Sequence, residues 1–129
     1  APDGAAAIAL AQLTMFEDPT SALALVEPVR LDSDHRDPAD DVKAIAGLLA
    51  RDEATLPEHA VRDRYLEARG ALARGDLEGA LEGFVDVLGR NKGYDDDGAR
   101  KVCIALFNYL GREHPLTALF RRRFQSALN

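Results

Sequence analysis

Apolar residues recur along almost the whole chain at the three- and four-residue spacings of a helix, and no stretch alternates in the manner of a half-buried strand. The pattern predicts helices over about 5–16, 19–31, 38–53, 57–73, 77–90, 96–110 and 115–128. Their starts and stops have physical causes. Asp18-Pro19 and Asp37-Pro38 each read as an acidic N-cap followed by proline at the first helical position, where the missing N–H has no partner to lose. Pro28 falls inside the second helix and should kink it or end it early, because it removes a backbone hydrogen bond. Gly75, Gly93 and Gly111 stand where a left-handed residue closes a helix. The connections are short enough to make successive helices antiparallel neighbours. The predicted class is all-α.

One turn says more than the others. In "ALARGDLEGALEGFVDVL", Ala71 to Leu88, the pair Gly75-Asp76 has the tight turn of a tetratricopeptide repeat. After it, Ala80, Phe84 and Val87 fall on one face of the next helix, with Ala80 small enough for close approach and Phe84 large enough to fill the gap beyond. Counting back, Ala68 supplies the small residue of the preceding helix, while Glu67 occupies a position that usually holds leucine. Val61, Tyr65, Leu66 and Leu72 are expected to form that helix's apolar face. The same register upstream places a turn at Glu17-Asp18, followed by Ala22, Val26 and Val29, as a second and weaker copy. The copies do not keep a strict period, because the helix over 38–53 and the broken "DEATLPE" lie between them. The expectation is therefore an irregular tetratricopeptide-like α-α superhelix of about seven helices, forming one domain over 1–129.

The two ends differ in pattern. In the last helix Leu116, Leu119, Phe120, Phe124, Ala127 and Leu128 make one stripe suited to capping the stack. The first, "AAAIALAQLTMF", is apolar on every side, which implies burial on more than one face. Either an absent upstream domain or a second copy covers residues 5–16, or the alanines there tolerate water and need no cover.

Composition narrows the function. At 129 residues and 47% hydrophobic, the chain can bury a core unaided. The net charge of -6 argues against nucleic acid as the main partner, since such a surface must be basic to displace counterions. That charge is uneven: residues 1–60 carry twelve acids and four bases, whereas residues 61–129 carry ten acids and twelve bases. Arg121, Arg122 and Arg123 are the evident basic patch. No apolar run reaches the roughly 20 residues of a membrane span, and no signal peptide is visible. A single cysteine, Cys103, suits a reducing compartment, so a cytoplasmic location is expected.

Candidate chemistry is scarce. His35, His59 and His114 lie in three segments without metal-ligand spacing. The run "DDDG" at Asp95 to Gly98 resembles a calcium loop but lacks the alternating ligands and final glutamate, and it is expected to place carboxylates at a helix N-terminus. "GALARGDLEG" has no lysine and hydroxyl of a phosphate loop. Cys103 sits in an apolar helical run and is expected to be buried and inert. No nucleophile is matched to a base by local spacing. The chain is expected to be no enzyme, and to need neither cofactor nor metal.

The stretch "YDDDGARKVCIALFNYLGREHPLTALFRRRFQSAL", Tyr94 to Leu128, resembles the end of the chaperedoxins, thioredoxin-like co-chaperones of the YbbN type. The resemblance rests on the acids leading into Gly98-Ala99-Arg100-Lys101, on Leu106-Phe107, Leu110-Gly111 and His114-Pro115-Leu116, and on the basic run before the last apolar turn. Phe120 stands where that family often has tyrosine, and the segments from Leu56 and at "LVEPVRLD" are similar more loosely. The family is bacterial and joins an N-terminal thioredoxin-fold domain to a C-terminal tetratricopeptide domain. The resemblance implies an upstream thioredoxin-fold domain, unfolded client proteins as partners, and delivery to chaperones including the chaperonin. It also implies a docking element at the last helix, here Phe120, Arg121, Arg122, Arg123, Phe124 and Leu128. The alternative for the two phenylalanines is that they cap the core. The alternative for the chain is a general tetratricopeptide adaptor that clamps a peptide carboxylate, for which the inner faces offer Ala7, Ile8, Ala11, Tyr65, Leu66 and only one suitable base, Arg69.

Overall fold

The computed structural model describes residues 3–129, and among them all regular structure is helical. Seven α-helices form: α1 (Gly4–Thr14), α2 (Pro19–Val26), α3 (Arg36–Ala50), α4 (Arg62–Ala73), α5 (Leu77–Arg90), α6 (Tyr94–Leu110) and α7 (Pro115–Leu128). They group into two compact units, residues 1–51 and 52–129.

In the first unit α2 packs against both α1 and α3. The Asp3 carboxylate caps α1 by accepting the Ala5 N–H at 3.2 Å, and Asp18 caps α2 by accepting the Ser21 N–H at 3.2 Å and its hydroxyl at 2.7 Å. Those Ser21 bonds hold the Asp18 carboxyl below its ordinary range. Pro28 ends α2 early, as expected: the α-helix stops at Val26 and continues as a 3-10 turn, Glu27–Val29. The start of α3 differs from expectation. His35, not Asp37, is its capping residue, so Pro38 is the third helical residue. The proline is still accommodated there because the first four helical N–H groups lack intrahelical partners. The α3 face that turns inward is Ala39, Val42, Ile45, Ala46 and Leu48. His35 also meets α1: a Cβ added at Gly4 would lie 2.8 Å from its ring.

In the second unit α5 is central, packing against α4, α6 and α7. Helix α4 begins at Arg62, five residues later than the pattern suggests, because side chains take the backbone groups that a helix would need. The His59 Nδ1 accepts the Val61 N–H at 3.1 Å, Arg62 donates to the carbonyls of Leu56 and Glu53, and the Tyr94 hydroxyl donates to the carbonyl of Pro57 at 2.5 Å. On its other side the His59 Nε2 lies 3.1 Å from the side-chain amide of Asn91.

The α4–α5 turn has the geometry its sequence predicts. Gly75 is left-handed at φ 76°, its N–H reaches the Leu72 carbonyl at 3.0 Å, and the Asp76 N–H reaches Ala71 at 2.9 Å. Asp76 then caps α5 by accepting the Gly79 N–H at 2.9 Å. One residue thus closes one helix and opens the next. Gly111, at φ 89°, closes α6 in the expected way, but Gly93 does not close a helix: it precedes α6 with φ -88°.

Candidate partner-binding surface

The repeat residues form a seam inside the second unit. Ala68, Ala80, Phe84 and Val87 are all buried, and the Phe84 ring meets Tyr65 edge-on at 5.4 Å. A close approach of α4 and α5 also occurs at Gly83. A Cβ there would lie 2.6 Å from the Ala68 Cβ, so glycine is what lets the two backbones approach. Its signal in the sequence was a costly glycine inside a strong helical pattern, one residue before Phe84. Arg64 of α4 and Arg90 of α5 close the edge of this seam on Asp86, at 3.1 and 3.2 Å. Glu67, at its unusual position, points to solvent.

The same seam extends to the start of α6. The buried Tyr65 stacks edge-on with Tyr94 at 5.0 Å and donates its hydroxyl to Asp95 at 2.8 Å. Any Cβ at Gly98 would fall on that hydroxyl, which explains the glycine of "DDDG". The three aspartates lie in the first turn of α6 as expected, but Asp95, Asp96 and Asp97 are left-handed, with φ 55°, 53° and 63°. Aspartate tolerates that conformation better than most residues. Here the Tyr65 bond to Asp95, the ion pair of Lys101 with Asp96 at 3.3 Å and that of Arg100 with Asp97 at 4.0 Å hold the turn.

Helix α7 divides its residues between the interior and solvent. His114 caps it, with Nδ1 accepting the Leu116 N–H at 3.1 Å, and Pro115 follows. Phe120 and Phe124 are buried, the latter edge-on to Phe107 at 5.5 Å. Their rings belong to the core, whereas Arg121, Arg122 and Arg123 are exposed and Leu128 is half-buried. The three exposed arginines do not border one recess. Successive residues on a helix diverge by about 100°, and the guanidinium of Arg121 lies over Phe107 at 4.9 Å while that of Arg123 lies over Phe120 at 5.1 Å. Arg121 and Arg122 line a groove of about 660 Å³ with Asn108, Arg112, Thr117 and Ala118. Arg123 instead borders a recess shared with Arg64, Glu82, Val85, Asp86 and Phe120.

Helix α1 carries the main exposed apolar face of the first unit. Ala7, Ile8 and Ala11 turn inward, as does Met15 beyond its end, whereas Ala6, Ala9, Leu10 and Leu13 face solvent at the spacing of a single stripe. Leu10 is 48% exposed and Leu13 79%. Burial also removes Ala7, Ile8, Ala11 and Tyr65 from any carboxylate clamp, and Arg69 is already engaged by other groups.

Cys103 is buried, and desolvation pushes its thiol up to about 12, well away from the thiolate needed for reactivity. Among the described residues no three His, Cys, Asp or Glu side chains converge as metal ligands, and no helix is long and apolar enough to cross a membrane.

With this geometry in place, the comparisons with known proteins are informative in one respect. The family model for the tetratricopeptide repeat matches residues 39–129, more than half of the chain, taking in the α4–α5 turn and its seam. No curated protein matches the chain. No solved structure matches it either.

Proposed function

The chain belongs to the tetratricopeptide-repeat family, a family of protein-binding scaffolds, and from that premise we propose that it is the interaction domain of a chaperedoxin-type, thioredoxin-like co-chaperone. In this reading it holds unfolded clients and docks to chaperones, the chaperonin among them, in the bacterial cytoplasm. It contributes binding and no catalysis, and any redox chemistry resides in a separate thioredoxin-fold domain.

The observation that carries the proposal is the outer side of α7. Arg121, Arg122 and Arg123 project into solvent from a helix whose phenylalanines anchor it to α5 and α6. A rigid helix bearing three outward charges suits docking on an acidic partner surface, where complementary charge speeds encounter and fixes orientation. The resemblance of Tyr94 to Leu128 to the end of the chaperedoxins supports the same partner. The apolar stripe of α1 supports the client-holding half, since extended unfolded segments bind exposed apolar surface. A second copy pairing through that stripe is the other reading favoured by the exposure of Leu10 and Leu13.

The test is chaperonin binding by the chain and by a variant carrying Arg121→Ser, Arg122→Ser and Arg123→Ser. Two cation–π contacts are lost, so stability should fall by about 1–2 kcal/mol, while affinity for the chaperonin should fall about tenfold or more. Equal affinity of the two chains sinks the docking role of the arginines. A chain that neither binds the chaperonin nor slows the aggregation of a heat-unfolded client sinks the co-chaperone reading as a whole.

A further inference from the structure

Five of the twelve Lys and Arg side chains of the second unit sit in ion pairs. Arg62 faces Glu58, Arg64 and Arg90 share Asp86, Arg100 faces Asp97, and Lys101 faces Asp96. Toward the end of α6 and the first half of α7, acidic partners run short. From Ala99 to Asn129 there are six bases and a single acid, Glu113, in a chain whose net charge is -6. Arg112, Arg121 and Arg122 have no ion-pair partner among the described residues, and they converge on one groove of about 660 Å³.

From this convergence we propose that the α6–α7 groove is a binding site for an acidic peptide segment, whose Asp or Glu carboxylates pair with Arg112, Arg121 and Arg122. The site lies on the body of this chain and receives the partner, in contrast to a helix that inserts into the partner. It rests on the reading of the chain as a binding module, but it does not depend on the chaperonin being that partner.

The details favour a peptide carboxylate. A guanidinium presents a planar pair of N–H donors that matches a carboxylate in a two-bond fork. Arg121 is already oriented, because its guanidinium lies against Phe107 at 4.9 Å, so little conformational freedom is lost when it binds. The wall of the groove also includes Thr117, whose buried hydroxyl is without a hydrogen-bond partner, the one such side-chain atom among the described residues. Asn108 adds an amide at the rim. The volume lies in the range of ligand-binding clefts and has room for several side chains, more than a lone inorganic anion requires. A long nucleic acid fits less well. A polyanion extending past the groove would meet a molecule that is acidic overall, while a short acidic segment confines its charge to the arginines.

The experiment uses the whole chain and a short fluorescein-labelled peptide of alternating glutamate and leucine, with a glutamine-for-glutamate copy as control. Fluorescence anisotropy should show binding of the glutamate peptide alone, weakening as salt is raised. The variant with Arg112→Gln, Arg121→Gln and Arg122→Gln should bind about tenfold more weakly or worse. A variant with Arg100→Gln and Lys101→Gln, whose bases are already paired with Asp97 and Asp96, should bind as the unaltered chain does. Equal binding of the two peptides overturns the proposal. So does an equal loss in both variants, which would mark nonspecific attraction, and so does tighter binding of a single-stranded oligothymidylate that displaces the peptide. Amide spectra of the unaltered chain provide a check that needs no variant: resonances of Asn108 and Thr117 should move on titration with the glutamate peptide, and their failure to move also overturns it. If the peptide binds as stated while the chaperonin does not, the groove stands and the chaperonin assignment falls.

Discussion

The α4–α5 seam and helix α1 draw on the same kinds of residue and dispose of them in opposite ways. In the seam Ala68, Ala80, Phe84, Val87 and Leu88 are all withdrawn from water, and even a missing side chain, at Gly83, is used to bring two backbones together. In α1 the inner residues Ala7, Ile8 and Ala11 are buried, but Leu10 and Leu13 lie in solvent with alanines between them. Apolar area removed from water stabilises the fold by about 25 cal/mol per Å²; area left in water contributes nothing until something covers it. The seam therefore helps to keep the second unit folded, together with the buried faces of α6 and α7. The outer stripe of α1 is surface whose loss the fold should scarcely register.

The most damaging test of that contrast is Phe84→Ala. The ring is fully buried against Tyr65, so its truncation should destabilise the protein by about 3–5 kcal/mol, as aromatic deletions in cores do. Chemical denaturation measures it, and a loss under about 1 kcal/mol would show that the seam is not where the stability lies. Gly83→Ala should have a smaller effect of the same sign. The new methyl collides with Ala68, and overpacking typically costs about 1–3 kcal/mol, reduced by the roughly 0.5–1 kcal/mol that alanine gains over glycine inside a helix. Ala68→Gly in the same chain should restore part of the loss, because it removes the other half of the collision. If the double variant is less stable than either single one, close approach at Gly83 is not the constraint.

Much of this is legible in the sequence, and the misses have physical causes. Periodicity, proline and glycine located all seven helices, because each signal is local. The turn at Gly75-Asp76 was readable for the same reason: a left-handed residue and a capping acid sit side by side. The late start of α4 was not, since it depends on Tyr94 holding the Pro57 carbonyl from 37 residues away. Nor was the left-handed turn of Asp95 to Asp97, which involves a Tyr65 hydroxyl 30 residues upstream. At α7 the run of three arginines was plain, yet its division was not. Only the fold shows that Arg121 and Arg122 join Arg112 while Arg123 faces another recess. A cluster assembled from two helices leaves no mark in the spacing of either.

The smallest expected effect on stability is also the one that separates the two regions most sharply. Replacing Leu10 and Leu13 together by serine changes side chains that are already largely in water, so stability should stay within about 0.5 kcal/mol per site of the unaltered chain. Association should respond far more. If the stripe holds clients, the variant will protect a heat-unfolded protein from aggregation less well at equal concentration, with its own sedimentation unchanged. If a second copy covers the stripe, the unaltered chain will sediment as a concentration-dependent dimer and the variant as a monomer. A single helix face of this length is small for that purpose, since stable interfaces bury about 1,200–2,000 Å² in total, so such a dimer should be weak and dissociate on dilution. A variant that loses several kcal/mol instead would place Leu10 and Leu13 in the core, and the contrast between α1 and the seam would vanish.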